Sequence, residues 1–250
     1  MMIGDIRIHA DDAVLSRAVA QRWIDIADAA IAARGKFHVA LSGGSTPQRL
    51  YERLREPPFI DRIKWDRVYI YFGDERMVPP DHRDSNYRMA REALLDHVPI
   101  PASQICRMEG ETTNPSDAAT KYARTLTSLL PMSAQGVVQF DLLLLGVGTD
   151  GHIASLFPGT SILHERARLV EAVYVEHLDS WRISITLPVI DQGRHVIVLV
   201  GGDAKAEIMK NVFTTRRSPP YPVQLISPQG ILEWHLDKAA AKLLPAELLS

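Results

Sequence analysis

Asp141-Leu142-Leu143-Leu144-Leu145-Gly146-Val147-Gly148-Thr149-Asp150-Gly151-His152 is the stretch that decides how this chain folds. Four consecutive leucines leave no polar face, as a strand buried on both sides requires. Strands of that kind belong to parallel sheets covered by helices. The apolar run then gives way at once to glycines, an aspartate and a histidine. In open α/β sheets, ligands bind outside the carboxyl ends of the strands, which is where this turn would lie.

The same pattern recurs on either side. Residues 37–41 are apolar and empty into Ser42-Gly43-Gly44-Ser45-Thr46, after which Pro47 opens a helix to about residue 54. Residues 67–72 read as a strand running into the polar loop Gly73-Asp74-Glu75-Arg76. Residues 195–200 form an apolar strand that leads to Gly201-Gly202-Asp203-Ala204-Lys205 and a helix through about 211. Apolar residues at helical spacing mark 12–34, with Asp11 or Asp12 as N-cap and Gly35 as the stop. Further helices are expected from Asp84 or Ser85 to about 95, from Asn114 and Pro115 to about 130, and over 238–244. Residues 169–175 and 182–187 look like strands, the latter alternating Ile183 and Ile185 with polar residues. Strand and helix alternate, so the expected fold is α/β: a Rossmann-like, mostly parallel sheet with helices on both faces. One domain over residues 1–250 is expected, since no repeat, low-complexity tract or linker interrupts the pattern. Pro219, Pro220 and Pro222 mark a turn.

The formal net charge is −2, which gives no electrostatic support for binding nucleic acid. No run of eighteen apolar residues exists, so no membrane span is expected. Cys106 is the single cysteine, so no internal disulfide is available and a reducing, cytoplasmic setting is expected. Its apolar neighbourhood reads as packing rather than catalysis. Residues 1–9 carry Asp5 and Arg7 and lack an apolar core, so no secretory leader is expected.

Four loops carry the candidate chemistry. In the first, Gly43 and Gly44 let the backbone approach an anion, and the next helix offers free N–H groups with a positive dipole end. Ser45 and Thr46 add hydroxyls. The alternative is a tight turn capped by Ser42 or Ser45, and no Gly-Lys-Ser/Thr follows that would make it a Walker loop. In the second, Arg76 suits bidentate grip on phosphate or carboxylate, while Asp74 and Glu75 either meet sugar hydroxyls or position Arg76. Alone, that loop also reads as a solvated charged turn. In the third, an imidazole at His152 is the side chain best suited to take a proton from water at neutral pH, with Asp150 orienting it or contacting substrate. A structural bond to a loop carbonyl is the plainer alternative. A metal is not expected, because no third ligand lies at recognisable spacing. In the fourth, Lys205 falls on the first turn of a helix, where a cation is unfavourable unless an anion meets it. Arg182 is a weaker candidate of the same kind.

These loops, in this order, resemble the 6-phosphogluconolactonase family. The resemblance is carried by LSGGSTP (41–47), GDER (73–76), SNY (85–87), LLGVGTDGHIASLFPG (144–159), RISITLP (182–188) and GGDAKA (201–206). It spans nearly the whole chain, and segment 144–159 is the specific part. It implies a fold shared with glucosamine-6-phosphate deaminases. It also implies hydrolysis of 6-phospho-D-glucono-1,5-lactone in the oxidative pentose phosphate pathway, with no cofactor. On that match His152 corresponds to the water-activating base and Asp150 to its neighbour. Arg76, Lys205 and the Ser45-Thr46 turn correspond to phosphate or substrate contacts, and Arg182 follows them. Related deaminases look like GHIAFNEP, with a glutamate that helps open the sugar ring; here that position is Phe157, which favours the lactonase. The rivals are an amino-sugar-phosphate isomerase or deaminase, and a sugar-phosphate sensor, which would normally carry a DNA-binding module. The expected partner is the small-molecule lactone, and a monomer is compatible with the sequence.

Overall fold

The computed structural model describes residues 4–248, so Met1, Met2 and Ile3 of the N-terminal stretch lie outside it. Six parallel strands form the main sheet: β1 (Asp5–His9), β2 (Phe37–Leu41), β3 (Val68–Phe72), β5 (Leu142–Gly146), β8 (His195–Val200) and β9 (Ile231–Asp237). Their order across the sheet is β1-β9-β8-β5-β2-β3. A second, antiparallel sheet pairs β4 (Asp74–Arg76), β7 (Ser180–Ile185) and β6 (Val170–Val175) in the order β4-β7-β6. Among the described residues the α-helices are α1 (Asp12–Arg34), α2 (Ser45–Leu54), α3 (Phe59–Arg62), α4 (Asn86–Ala93), α5 (Pro115–Leu129), α6 (Leu187–Asp191), α7 (Ala206–Thr214) and α8 (Lys238–Ala241).

The alternation of side chains along the central strands creates two apolar layers. Leu142, Leu144, Ile197 and Leu199 pack with α1, α2 and α4 on one face. Leu143, Leu145, Val196 and Val198 pack with α5, α7, α8 and the second sheet on the other. Each such buried side chain contributes roughly 1.5–3 kcal/mol relative to exposure. The leucine run is therefore apolar throughout because both of its faces are covered.

Five points differ from the expectations. The segments expected as strands at 169–175 and 182–187 are β6 and β7, the latter starting at Ser180 and ending at Ile185, and they belong to the antiparallel sheet, joined by a 3-10 turn at Glu176–Leu178. Residues 74–76 are not loop: they pair with Ser184, Ile183 and Arg182. Strands β1 and β9 were not anticipated. Pro47 does not open α2, which begins two residues earlier. Gly44 is its N-cap with φ 102°, a backbone that glycine alone adopts without strain. The last long helix is shorter than expected and ends at Ala241.

Two buried tyrosines fasten the strand ends under the site. Tyr51 of α2 accepts from Ser42 N at 2.9 Å and donates to Ser42 O at 2.8 Å. Tyr122 of α5 does the same for Phe72, at 2.9 and 3.0 Å. Each phenol thus completes the backbone of a residue at a strand's carboxyl end, where the ladder stops. Cys106 is partly buried against the core, and burial pushes its thiol pKa up, as packing rather than reactivity requires.

Candidate functional site

The loops after β2, β3, β5 and β8 converge at the carboxyl edge of the main sheet. They enclose a cavity of about 230 Å³ lined by Gly43, Gly44, Ser45, Thr46, Asp74, Arg76, His152 and Lys205, among others. A second cavity of about 440 Å³ is lined by Asp150, Phe157, His177 and Arg182, among others. Asp74, Arg76, His152 and Ala154 line both, so the two are halves of one cleft. Gly43, Gly44, Ser45, Thr46, Asp74, Arg76, Asp150, His152, Arg182 and Lys205, singled out from the sequence, fall on it, whereas Glu75 does not; Arg182 and Asp150 belong to the second half only.

The imidazole is held on two sides. His152 Nδ1 lies 2.6 Å from Asp150 Oδ1, which also accepts from His152 N at 3.2 Å. Burial works against the Asp150 carboxylate, but the hydrogen bond and charge of His152 outweigh it and hold the Asp150 pKa below its ordinary value. An ionised carboxylate only accepts, so Nδ1 donates, and in the neutral ring Nε2 carries the lone pair. Phe157 stacks on the imidazole at 4.0 Å between centroids and fixes its plane. Gly148 has to be glycine: a Cβ there would meet His152 Nδ1 at 2.1 Å and Asp150 Oδ1 at 2.6 Å. Ala154 takes a left-handed backbone, φ 46°, within the same turn.

The cations around the cleft form no ion pair among the described residues, although the charges of Asp74 and Asp150 act on them from a distance. Arg76 and Arg182 stand directly opposite each other in the β4–β7 register. Among the described residues no carboxylate forms an ion pair with either, and both Nε atoms are buried without a hydrogen-bond partner. Arg76 Nη1 donates to Asp84 O at 2.5 Å. The Arg182 pKa is lowered, first by burial and then by the charge of Arg76. Lys205 is the residue just before α7, not within its first turn. Burial lowers its pKa, opposed by the charge of Asp150. The first turn of α2 has no side-chain cap, which leaves its N–H groups available. Like charges facing one another in a half-buried cleft are unfavourable until an anion arrives.

The acidic residues of the second loop have structural work. Glu75 does not line the cleft. Its carboxylate accepts from Arg76 N, Asn86 N, Tyr87 N and Ser85 Oγ, and so ties β4 to the start of α4. Burial raises its pKa against those bonds. Asp74 does line the cleft, with one oxygen taking Asn86 Nδ2 at 3.2 Å and the other Ser155 Oγ at 2.7 Å. Asn86 was not singled out from the sequence, although it lines the inner cavity. A Cβ on Gly43 would fall 2.0 Å from Asn86 Oδ1, so the phosphate-side loop is glycine partly to admit this side chain. The available signal was the Ser85-Asn86-Tyr87 helix start, with Ser85 Oγ capping Arg88 N at 3.1 Å. His177 was also missed; it sits on an exposed 3-10 turn and meets Phe157 edge-on at 5.6 Å. Among the described residues no group of three or more His, Cys, Asp or Glu is placed to hold a metal.

Residues 10–234 match the family model described as glucosamine-6-phosphate isomerases/6-phosphogluconolactonase. The chain belongs to that family. Within the family, a protein named 6-phosphogluconolactonase from Synechocystis sp. is 41% identical over 215 residues, covering 85% of this chain and 87% of the relative. One of the same name from Haemophilus influenzae is 40% identical over 211 residues, covering 83% and 87%. The solved structure of 6-phosphogluconolactonase from Trypanosoma brucei superposes with a TM-score of 0.86 at 31% identity, covering 97% of this chain and 99% of that one. A monomeric glucosamine-6-phosphate deaminase shares the fold at a TM-score of 0.79 and 19% identity, covering 96% and 99%. The family's deaminase-like α/β architecture is thus the one seen here.

Proposed function

We propose that this chain hydrolyses 6-phospho-D-glucono-1,5-lactone to 6-phospho-D-gluconate, the second step of the oxidative pentose phosphate pathway, in the cytoplasm. The observation that carries the reading is the joining of an oriented imidazole, His152 on Asp150, to cations that have no ion pair among the described residues, across one cleft. The names of its relatives in the family support the same substrate.

Water is the nucleophile, and neither metal nor cofactor takes part. His152 Nε2 takes a proton from water as its oxygen attacks C1 of the lactone. Asp150 stabilises the imidazolium that forms. When the C1–O5 bond breaks, the imidazolium returns the proton to O5, which becomes the free hydroxyl of the open chain. The new carboxylic acid then loses its proton to solvent. Gly43, Gly44, Ser45, Thr46, Arg76, Arg182 and Lys205 hold the phosphate end, and Asp74 braces the wall between the two halves. Binding energy from that remote end places the ester for attack. Phe157 occupies the position where a deaminase's ring-opening glutamate is expected, so glucosamine 6-phosphate should release no ammonia.

The test is proton release from freshly prepared lactone, corrected for spontaneous opening, with the His152→Ala protein alongside. Loss of a general base typically costs about a hundredfold to ten-thousandfold in rate. We expect kcat to fall by at least the lower figure while KM changes little. An unaltered kcat would take the base role away from His152.

A further inference from the structure

Lys205 reaches the cleft from a turn with little order of its own. The chain leaves β8 through Gly201 and Gly202, and Gly202 has φ 91°. One 3-10 turn, Asp203–Lys205, follows. Its ion pair, Lys242 Nζ to Asp203 Oδ1 at 3.2 Å, is exposed, and such pairs contribute little. The firm contact comes from another strand. Asp237, the last residue of β9, is buried and accepts from Gly202 N on Oδ2 at 2.9 Å. Its other oxygen accepts from Ala240 N at 2.7 Å and caps α8. A Cβ on Gly201 would lie 3.2 Å from Asp237 Oδ2 and 3.1 Å from Thr46 Oγ1. The turn is therefore clamped between Asp237 and the first turn of α2.

We infer that Asp237 is a positioning residue for substrate binding: its carboxylate fixes the Gly201–Gly202 turn and thereby aims Lys205 at the phosphate. The inference rests on the reading of Lys205 as a phosphate contact. Asp237 itself lines neither half of the cleft, so it acts through the lysine and not on substrate. The link is short, because Lys205 N donates to Gly202 O at 3.0 Å. A charge-assisted bond to a backbone N–H is among the stronger ways to hold a glycine turn. One carboxylate serves two donors here, and no neutral side chain of similar size offers two acceptor oxygens in the same geometry.

Steady-state kinetics on Asp237→Ser, Asp237→Asn, Lys205→Met and the Ser–Met double variant test this with 6-phosphogluconolactone as substrate. Serine is a good N-cap, so α8 keeps its cap while the single hydroxyl cannot also hold Gly202 N. Asparagine offers one acceptor to two N–H donors and is the second probe if serine unfolds the chain. Lys205→Met should raise KM about tenfold, as loss of a charged hydrogen bond predicts. Asp237→Ser should raise KM about fivefold with kcat within about twofold. Added to Lys205→Met, it should raise KM no further. A merely structural role would lower the melting temperature and leave KM alone, and that result overturns the inference. So does an equal KM increase in both backgrounds, which would show that Asp237 acts independently of the lysine. If Lys205→Met alone leaves KM unaltered, the phosphate contact itself fails and takes this inference with it.

Discussion

Where the strands of the main sheet begin, Arg34 and Arg194 both turn to one buried carboxylate; where they end, Arg76, Arg182 and Lys205 find none. Arg34 meets Asp141 at 2.8 Å and Arg194 approaches it at 3.5 Å, while Asp141 also accepts from His38 N at 2.9 Å. That end is tied together by one carboxylate, which joins α1, β2 and β5 and lies within ion-pair range of Arg194 ahead of β8. The other end carries two opposed arginines and a half-buried lysine with no ion pair among the described residues. The difference separates charge that holds the fold from charge that waits for a ligand.

The sharpest way to break the comparison is at Asp141. Asp141→Ala leaves a buried N–H and two guanidiniums without their acceptor. Breaking a buried pair costs about 3–5 kcal/mol, and the partial exposure of both arginines places this case near the lower figure. Urea unfolding should show that loss, with kcat/KM of the folded protein unchanged. A loss of activity without a loss of stability would erase the distinction between the two ends.

The second effect is on pH. Burial, opposed by Asp141, lowers the His38 pKa from 6.5 to about 4. The unfolded chain therefore takes up a proton at His38 as pH falls through 6.5, while the folded chain stays neutral there until about 4. Stability is complete above that window and declines through it as pH falls, by roughly 2–3 kcal/mol. Unfolding free energies at several pH values between 7.5 and 4 should show the decline. His38→Gln should reduce it, leaving the smaller contribution of His9 and His195, whose pKa values burial also lowers; an identical slope in the variant would contradict the assignment.

The smallest effect lies at the open end and has the opposite sign. Arg182→Gln removes a like charge facing Arg76. It should stabilise the free protein by a few tenths of a kcal/mol up to about 1 kcal/mol while raising KM. A fall in melting temperature would mean that Arg182 holds the fold, as Arg34 does.

The sequence made the open end legible because function there is written in local patterns. Apolar runs emptying into glycine, serine or histidine identified β2, β3, β5 and β8 together with their loops. The opposite end and the edges were harder to read. Strand β9 interleaves Leu232, Trp234 and Leu236 with Glu233, His235 and Asp237, and its polar members are buried only because Arg22, His9 and Gly202 satisfy them. No local pattern announces partners that lie more than thirty residues away. Strand β4 has the composition of a turn and becomes a strand only by pairing with β7. Asp237 was missed for the same reason: it acts on a glycine brought to it by the fold.

The paired hydroxyls of Tyr51 and Tyr122 carry one more consequence. Each ring comes from a helix on a different side of the sheet, and each closes over the last backbone unit before a working loop. The amides of Ser42 and Phe72 thereby find acceptors beyond the end of the ladder. The loops that form the cleft therefore start from fixed points, and those points are held by the helices rather than by the loops themselves.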